Sequence, residues 1–491
     1  MIDKLKSLGA DTAVYGVSTI VGRFLNFLLV PFYTNVLATS QYGVVATVYS
    51  YIAFMNIIYM YGMESAFFKY ASTKEIGNDR EIFSTPFMSV VTTSILFSAL
   101  IFFNSVRLAG PLEVPVAYAD TIRYSALMLL LDSLAVIPFA ALRLERKVKT
   151  FATIKVTNII VNVTANVILL LKYHMGVEGI FISGVIASSV TLLLLLPTIL
   201  RKIGFSFRKD LYKALLRFGL PYIPAGLGAM MVQVIDRPIL LALTNESTVG
   251  IYQANYRLGI FMMLIVSMFD YAWRPFFLTH ATDPNAKQLY SRILTYFTLF
   301  SAFVVLLVSI YIDDLVKFRV LHRFIINPAY WSGLGIVPIV LLGYLFNGIY
   351  VNLIAGIYIE KKTSHLPYIT GIGAAINVGV NLFLIPKYGM FGAAWATFFA
   401  YAAMAVAIYF VSHHYYPVKY EIGRLLKIGI ALGGVIAADV FRRNLLPDVH
   451  AQIFKASAVV AFIVILLALR FLNADELKAI GSGWSMKFKQ G

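Results

Sequence analysis

The chain's 491 residues would fit two soluble domains, but 59% of them are hydrophobic and only 13% charged, against roughly 45–50% and about 25% in soluble domains. With a mean hydropathy of +0.78 and apolar runs of about 20 residues recurring throughout, this is the pattern of an all-α polytopic membrane protein. The net charge of +17 sits in short stretches between those runs, as in RKIGFSFRKDLYKALLR (Arg201 to Arg217), which marks loops beside an anionic leaflet and argues against a nucleic-acid partner.

About fourteen transmembrane helices are expected. The first six lie near 12–34, 43–68, 84–106, 118–142, 152–171 and 178–200, and form an N-terminal lobe over 1–205. The opening MIDKLKSLGADTAVYG leads into apolar sequence without a small-residue cleavage site, so it is expected to be a retained helix rather than a signal peptide. On the helical period Tyr15, Thr19, Arg23 and Asn26 share one face of helix 1. In helix 2, Tyr49 and Asn56 share a face at seven-residue spacing, and Glu64 follows near its end. Helix 4 carries Asp132, which has no close sequence partner. Such a carboxylate either binds a coupling proton or cation, or pairs with an Arg of a neighbouring helix.

A second lobe over 206–415 takes the runs near 218–243, 249–273, 290–312, 333–359, 366–386 and 391–412. Its first helix opens with LPYIPAGLG, where Pro221 and Pro224 predict a bend or partial unwinding that serves as a hinge, unless Pro221 simply occupies the first turn. Asp236 and Arg237 follow in the same run. Adjacent helical residues point about 100° apart, so Gln233 and Arg237 are expected to share a face while Asp236 finds another partner. Gln253 and Arg257 stand four apart in the next helix beside Tyr252, Asn255 and Tyr256, and Asp270 precedes Arg274 by four, a surface ion-pair spacing. His413 and His414 suit interfacial capping at a helix end. Two additional helices near 422–441 and 453–472 complete the chain over 416–491.

An even helix number puts both termini on one side, and Lys and Arg concentrate in the alternate loops that this scheme makes cytoplasmic. Two weak internal repeats join the lobes. NVTANVILLLKYHMGVEG (Asn162 to Gly179) matches NVGVNLFLIPKYGMFG (Asn377 to Gly392). PFYTNVLATSQYGVVATVY (Pro31 to Tyr49) matches PILLALTNESTVGIYQANY (Pro238 to Tyr256), aligning Gly43 with Gly250 and Tyr49 with Tyr256. Both matches place helix n on helix n+6. Parallel repeats of this kind are a transporter feature, with the substrate path between the halves.

The stretches VYGVSTIVGRFLNFLLVPFYTNVLATSQYGVVATVYS (Val14 to Ser50) and RFGLPYIPAGLGAMMVQVIDRPILLALTNESTVGIYQANYRLG (Arg217 to Gly259) resemble polysaccharide flippases. The resemblance is to the Wzx-like, O-antigen type of the multidrug/oligosaccharidyl-lipid/polysaccharide exporter superfamily. It implies movement of a polyprenyl-(pyro)phosphate-linked oligosaccharide from the cytoplasmic to the outer leaflet of a bacterial inner membrane, by alternating access. Glycosyltransferases, a polymerase or a ligase of the same pathway would be its partners. Under that reading Arg23 and Arg257 hold the phosphate-bearing headgroup, since Arg pairs with phosphate oxygens bidentately. Asn26, Asn56, Gln253 and Tyr49 face the glycan. Asp236, Arg237, Asp132 and Glu64 serve gating or ion coupling, and Arg23 has the alternative of pairing with Glu64. A cation-coupled multidrug exporter is the rival within the superfamily, and a membrane glycosyltransferase or polymerase the rival outside it. The absence of cysteine removes thiolate chemistry, no HExxH, GxSxG or Walker A pattern is present, and neither a cofactor nor a metal is expected.

Overall fold

In the computed structural model the described residues are 29–204, 206–320, 322–445 and 451–472. Arg23 and Asn26, with most of the first apolar run, lie outside them. Residues 29–36 are helical and lead into α1 (Thr39–Met60), α2 (Met63–Thr73), α3 (Asp79–Phe103), α4 (Ala119–Leu144), α5 (Val148–Leu171) and α6 (Gly176–Lys202). Then come α7 (Lys209–Gly219), α8 (Tyr222–Val234), α9 (Asp236–Leu243), α10 (Glu246–Thr279), α11 (Ala286–Lys317) and α12 (Ile336–Leu353). The last four are α13 (Leu366–Tyr388), α14 (Met390–Tyr415), α15 (Ile422–Leu445) and α16 (Ala451–Ala468). Eleven helical stretches among the described residues are long and apolar enough to cross a membrane, so the fold is polytopic and helical as the composition predicts.

Local chemistry explains where these helices start and break. The NDRE run opens α3 with a capping box. The Asn78 side chain accepts from the N–H groups of Arg80 and Glu81 at 3.1 and 2.9 Å, and the Glu81 carboxylate accepts from the Asn78 N–H at 2.9 Å. The second apolar run divides at Tyr61 and Gly62, whose φ of +75° is the left-handed region that glycine tolerates. A Cβ on Gly62 would also strike the backbone carbonyl of Gly219.

The seventh run likewise differs from one continuous helix. It breaks at Leu220–Pro221 and again at Ile235. Pro238 explains the second break, because it has no N–H to donate to the carbonyl of Val234. The basic stretch before it, expected as a loop, forms α7. Leu211, Leu215 and Gly219, four apart, are its buried face, and the lysines and arginines take the other. Between α11 and α12 a short antiparallel hairpin pairs Arg319 with Phe324 and Val320 with Arg323.

The described residues within Met1–Leu264, Arg319–Gly343 and Ser364–Met404 form one compact unit, and those within Ile265–Phe318, Tyr344–Thr363 and Ala405–Gly491 a second. In the first, α4 packs on α3 and α6, and α5 packs on α6. A core of Phe67, Phe83, Phe87, Ile137 and Leu142 extends to Leu211 and Leu215 of α7. In the second, α11 packs on α15, and Trp273, Phe277 and Tyr290 cluster with Ala355.

Both sequence repeats have structural counterparts within the first unit. On α5, Asn166 donates to the carbonyl and side-chain oxygen of Asn162 at 2.9 and 3.1 Å. On α13, Asn381 does the same to Asn377 at 2.9 and 2.8 Å. The other repeat ends in mutual contact. A Cβ on Gly43 would meet the carbonyl of Glu246, and one on Gly250 would meet the carbonyl of Thr39. Thr39 and Glu246 carry the same sequence offset as Gly43 and Gly250, so the two helix starts cross about a local twofold.

Candidate functional site

Polar side chains inside a helical bundle are costly unless they face each other or a cavity, and here they face a cavity. About 470 Å³ of space is bounded by α1, α4, α5, α6 and the first turns of α10. Tyr42, Tyr49, Ala53 and Asn56 of α1 fall on one helical stripe along its wall. Small residues on α6, Gly184, Ala187 and Ser188, leave the room. α4 contributes Asp132, α5 contributes Asn158 and Asn162, and α10 contributes Gln253 and Arg257 from successive turns. Four of the residues expected to bind substrate, Tyr49, Asn56, Gln253 and Arg257, thus converge on one space with Asp132. Tyr49 stacks on Phe181 with centroids 5.2 Å apart. Asp132 accepts a hydrogen bond from Ser188 at 2.6 Å.

A second cavity of about 690 Å³ shares Ala53, Asn56, Asp132 and Asn158 with the first. Its further wall holds Glu64 paired with Arg143, and Lys155 near Thr191. Asn158 donates to Thr191 at 2.8 Å. Lys155, Asn158 and Asn162 were absent from the expected site, although their i, i+3, i+7 spacing is a polar stripe legible in the sequence. Arg143 and Lys155 look like loop cations there because they lie beside the basic 145–149 stretch.

Asp236 and Arg237 line neither cavity. Both are buried, at 1% and 4% exposure, and they bond to each other, from Arg237 Nη1 to Asp236 Oδ1 at 2.5 Å. The expectation that Asp236 finds another partner holds, in Tyr252. The 100° step between adjacent residues of α9 does not suggest the second bond, which the long Arg237 side chain makes by reaching back to its neighbour. Arg237 also donates to the Gln233 carbonyl at 2.6 Å and to Gln253 Oε1 at 3.1 Å, and lies 4.1 Å over the Tyr256 ring. Tyr252 donates to Asp236 Oδ2 and is fully buried. Gln253 therefore touches the buried pair through one side-chain atom while lining the cavity. Pro221 and Pro224 sit at the start of α8, on either side of its first turn.

The hairpin and the 3-10 turn Pro328–Gly333 are pinned to residues within or next in sequence to the helices that line the site. Tyr330 donates to the Leu37 carbonyl at 3.0 Å, Asn255 donates to the Tyr330 carbonyl at 2.8 Å, and Asn35 donates to that of Phe324 at 2.9 Å. Burial raises the Tyr330 phenol above its ordinary range, with Tyr42 adding to the effect. Among the described residues no group of three or more His, Asp or Glu is arranged to hold a metal ion.

The same architecture occurs in solved transporters. A lipid II flippase MurJ in an inward closed conformation superposes with a TM-score of 0.71 over 94% of this chain and 98% of its own, at 16% identity. A multidrug resistance MATE family transporter of the MOP superfamily, inward-facing, gives 0.63 over 80% and 94%, at 13% identity. An uncharacterized membrane protein of Methanocaldococcus jannaschii is 30% identical over 171 residues, which span 33% of this chain and 32% of that protein. The profile of the polysaccharide biosynthesis protein family matches residues 34–321, more than half of the sequence, and the chain belongs to that family.

Proposed function

We propose that the protein is a flippase for a polyprenyl-(pyro)phosphate-linked oligosaccharide, moving it from the cytoplasmic to the outer leaflet by alternating access of the 1–205 and 206–415 lobes. The observation that carries this reading is the polar cavity among membrane-spanning helices, with Arg257 beside amides and a tyrosine. A guanidinium suits a phosphate, and Asn56, Gln253 and Tyr49 suit sugar hydroxyls and ring faces. Arg23 and Asn26 are proposed to join them, with Asp132 and Glu64 serving ion coupling, the Asp236–Arg237 pair gating, and Pro221 and Pro224 acting as the hinge between lobes. The membrane is then a bacterial inner membrane with both termini cytoplasmic, and pathway glycosyltransferases, a polymerase or a ligase are the partners. Membership of a polysaccharide biosynthesis family and a fold shared with a flippase support transport over catalysis.

The test is translocation in proteoliposomes. Lipid-linked oligosaccharide extracted from the source cells and fluorescently tagged on the glycan should reach the opposite leaflet faster than in empty liposomes. Equal rates with and without protein would sink the proposal. Arg257→Ala should slow translocation at least about tenfold, the scale of one charge-assisted hydrogen bond, with unchanged abundance in the membrane.

A further inference from the structure

Two short helices, α2 and α7, pack on each other outside the lengths of chain needed to cross the bilayer. α1 has 22 residues. That is about 33 Å of helix, already more than the roughly 30 Å hydrocarbon core. The break at Gly62 that follows α1 is therefore at the edge of the core. Gly219, the last residue of α7, is held at the same level, where an added Cβ would lie 2.9 Å from the Tyr61 carbonyl. The next crossing needs only α8 and α9, from Tyr222 to Leu243. The other end of α7 is tied to the capped start of α3. There the Gly204 N–H donates to Ser84 Oγ at 2.7 Å, and the Arg208 N–H to Thr85 Oγ1 at 3.3 Å. Both ends thus place α7 at headgroup level.

Its apolar face is turned to protein, with Leu211 and Leu215 at 0% and 1% exposure. The opposite face carries Lys209, Lys213 and Arg217, successive turns apart and all exposed. The acid of this helix, Asp210, is taken by Arg208 at 2.9 and 3.0 Å. Among the described residues none of the three cations has an acid within ion-pair distance. Like charges four apart destabilise a helix. Lys69 of α2 adds another beside them, its ammonium 4.7 Å from the centroid of the Phe218 ring. The counter-charge has to come from outside the chain. Leu220 lies about 20° around the helix from Lys213 and is 45% exposed. A leucine in line with unpaired cations at the edge of the core suits an acyl chain beneath a charged headgroup. We infer that the Lys209–Lys213–Arg217 face of α7 is a docking surface for anionic phospholipids of the leaflet it borders, with Leu220 against their acyl chains. Each basic residue beside an anionic leaflet contributes about fivefold in attraction, and a zwitterionic headgroup has no net charge to answer it. The occupant is a resident bilayer lipid on the outside of the bundle, not the cargo.

Lipid quenching at a single label tests this, because the chain has no cysteine. Leu220→Cys carries a bimane fluorophore that keeps the apolar bulk. The full-length protein is placed in phosphatidylcholine vesicles containing a minor fraction of dibrominated phosphatidylglycerol or, in parallel, dibrominated phosphatidylcholine. Bromine quenches bimane at short range, so the two quenching curves give the relative affinity of the lipids at this face. Phosphatidylglycerol should be favoured at least about fivefold. Changing Lys209, Lys213 and Arg217 together to Gln should abolish the preference. The charge-keeping triple, Lys209→Arg, Lys213→Arg and Arg217→Lys, should retain it and so report an intact fold. The same label in Phe103→Cys, exposed at the far end of α3, should show no preference. Equal quenching by both lipids at Leu220→Cys overturns the assignment and leaves the face to an acidic protein. An undiminished preference in the Gln triple, or an equal one at Phe103→Cys, overturns it too. No cargo takes part, so a failure here leaves the flippase reading standing, and a failure of translocation leaves this surface standing.

Discussion

Asp236 and Arg237 show how far single residues can be read without coordinates. Their presence in an apolar run marks them as significant, but the 100° step between adjacent helical residues does not reveal that the Arg237 guanidinium reaches back to the Asp236 carboxylate. Once paired, they form a buried ion pair satisfied further by Tyr252, Gln233 and Gln253. Removing one partner leaves the other charge buried and should cost about 3–5 kcal/mol, whereas replacing both costs much less. Asp236→Leu and Arg237→Met should each lower the thermal midpoint in detergent sharply, and the double variant should recover much of the loss; an additive double variant would show that the pair is not the unit. Glu145 gives a prediction in pH. It lies in the turn after α4, 2.7 Å from Lys147 and also paired with Lys202. Partial burial pushes its carboxyl up, but hydrogen bonds and charge from the two ammonium groups outweigh that and hold it below the usual range. A depressed folded-state value means the stabilisation is complete above the unfolded carboxylate range, near pH 4.3, and is lost as pH falls through the folded value. Glu145→Gln should therefore be less stable than wild type at pH 7, with the gap closing below about pH 4.

At the scale of elements, apolar runs of membrane length and proline placement made the helices and the Leu220–Pro221 break legible. The breaks at Tyr61 and Ile235 were not, because neither is forced by a strong local signal: the first is a glycine among many, and the second follows from a proline three residues on. The repeats were legible as weak matches whose meaning appears only when Gly43 and Gly250 meet. Their helices approach so closely that each glycine faces the other helix's backbone carbonyl, a neighbour that cannot rotate away. Gly43→Ala should force the two helix starts apart. The chain has no cysteine, so a single Cys at Val45, on the cavity wall, reports the change: it should label faster with a water-soluble maleimide in the Gly43→Ala background, and an unchanged rate would mean the crossing does not bound the cavity. Gly62→Ala tests the other close approach. Its positive φ alone costs a non-glycine residue about 1–2 kcal/mol, and the Gly219 carbonyl adds to that, so unfolding should shift by more than the same change at Gly371, around which the structure leaves open space.

For the whole molecule, the two helices after the second lobe looked like an addition to a twelve-helix transporter. Within the second compact unit they are tied in by polar contacts that a loosely attached pair would not need. Lys455 of α16, 5% exposed, donates to Asp314 of α11 at 2.5 Å. At the entrance to α15, Glu421 accepts from Thr295 of α11 at 2.7 Å and pairs with Arg424 at 3.2 Å. Lys427 donates to the Arg470 carbonyl at 3.0 Å, closing α15 against the end of α16. The two contacts to α11, Lys455 to Asp314 and Glu421 to Thr295, join residues more than a hundred positions apart, which is why apolar periodicity counts the helices but does not reveal what holds them. Asp314→Asn strands the buried ammonium of Lys455 and should destabilise more than Lys455→Met, which leaves a half-exposed carboxylate that water can still solvate. The reversed pair, Asp314→Lys with Lys455→Asp, should lie above the sum of its single changes in a double-mutant cycle. If all three variants unfold together with wild type, the last helices are an attachment after all. A graded loss in the stated order makes them part of the scaffold against which α11 is held.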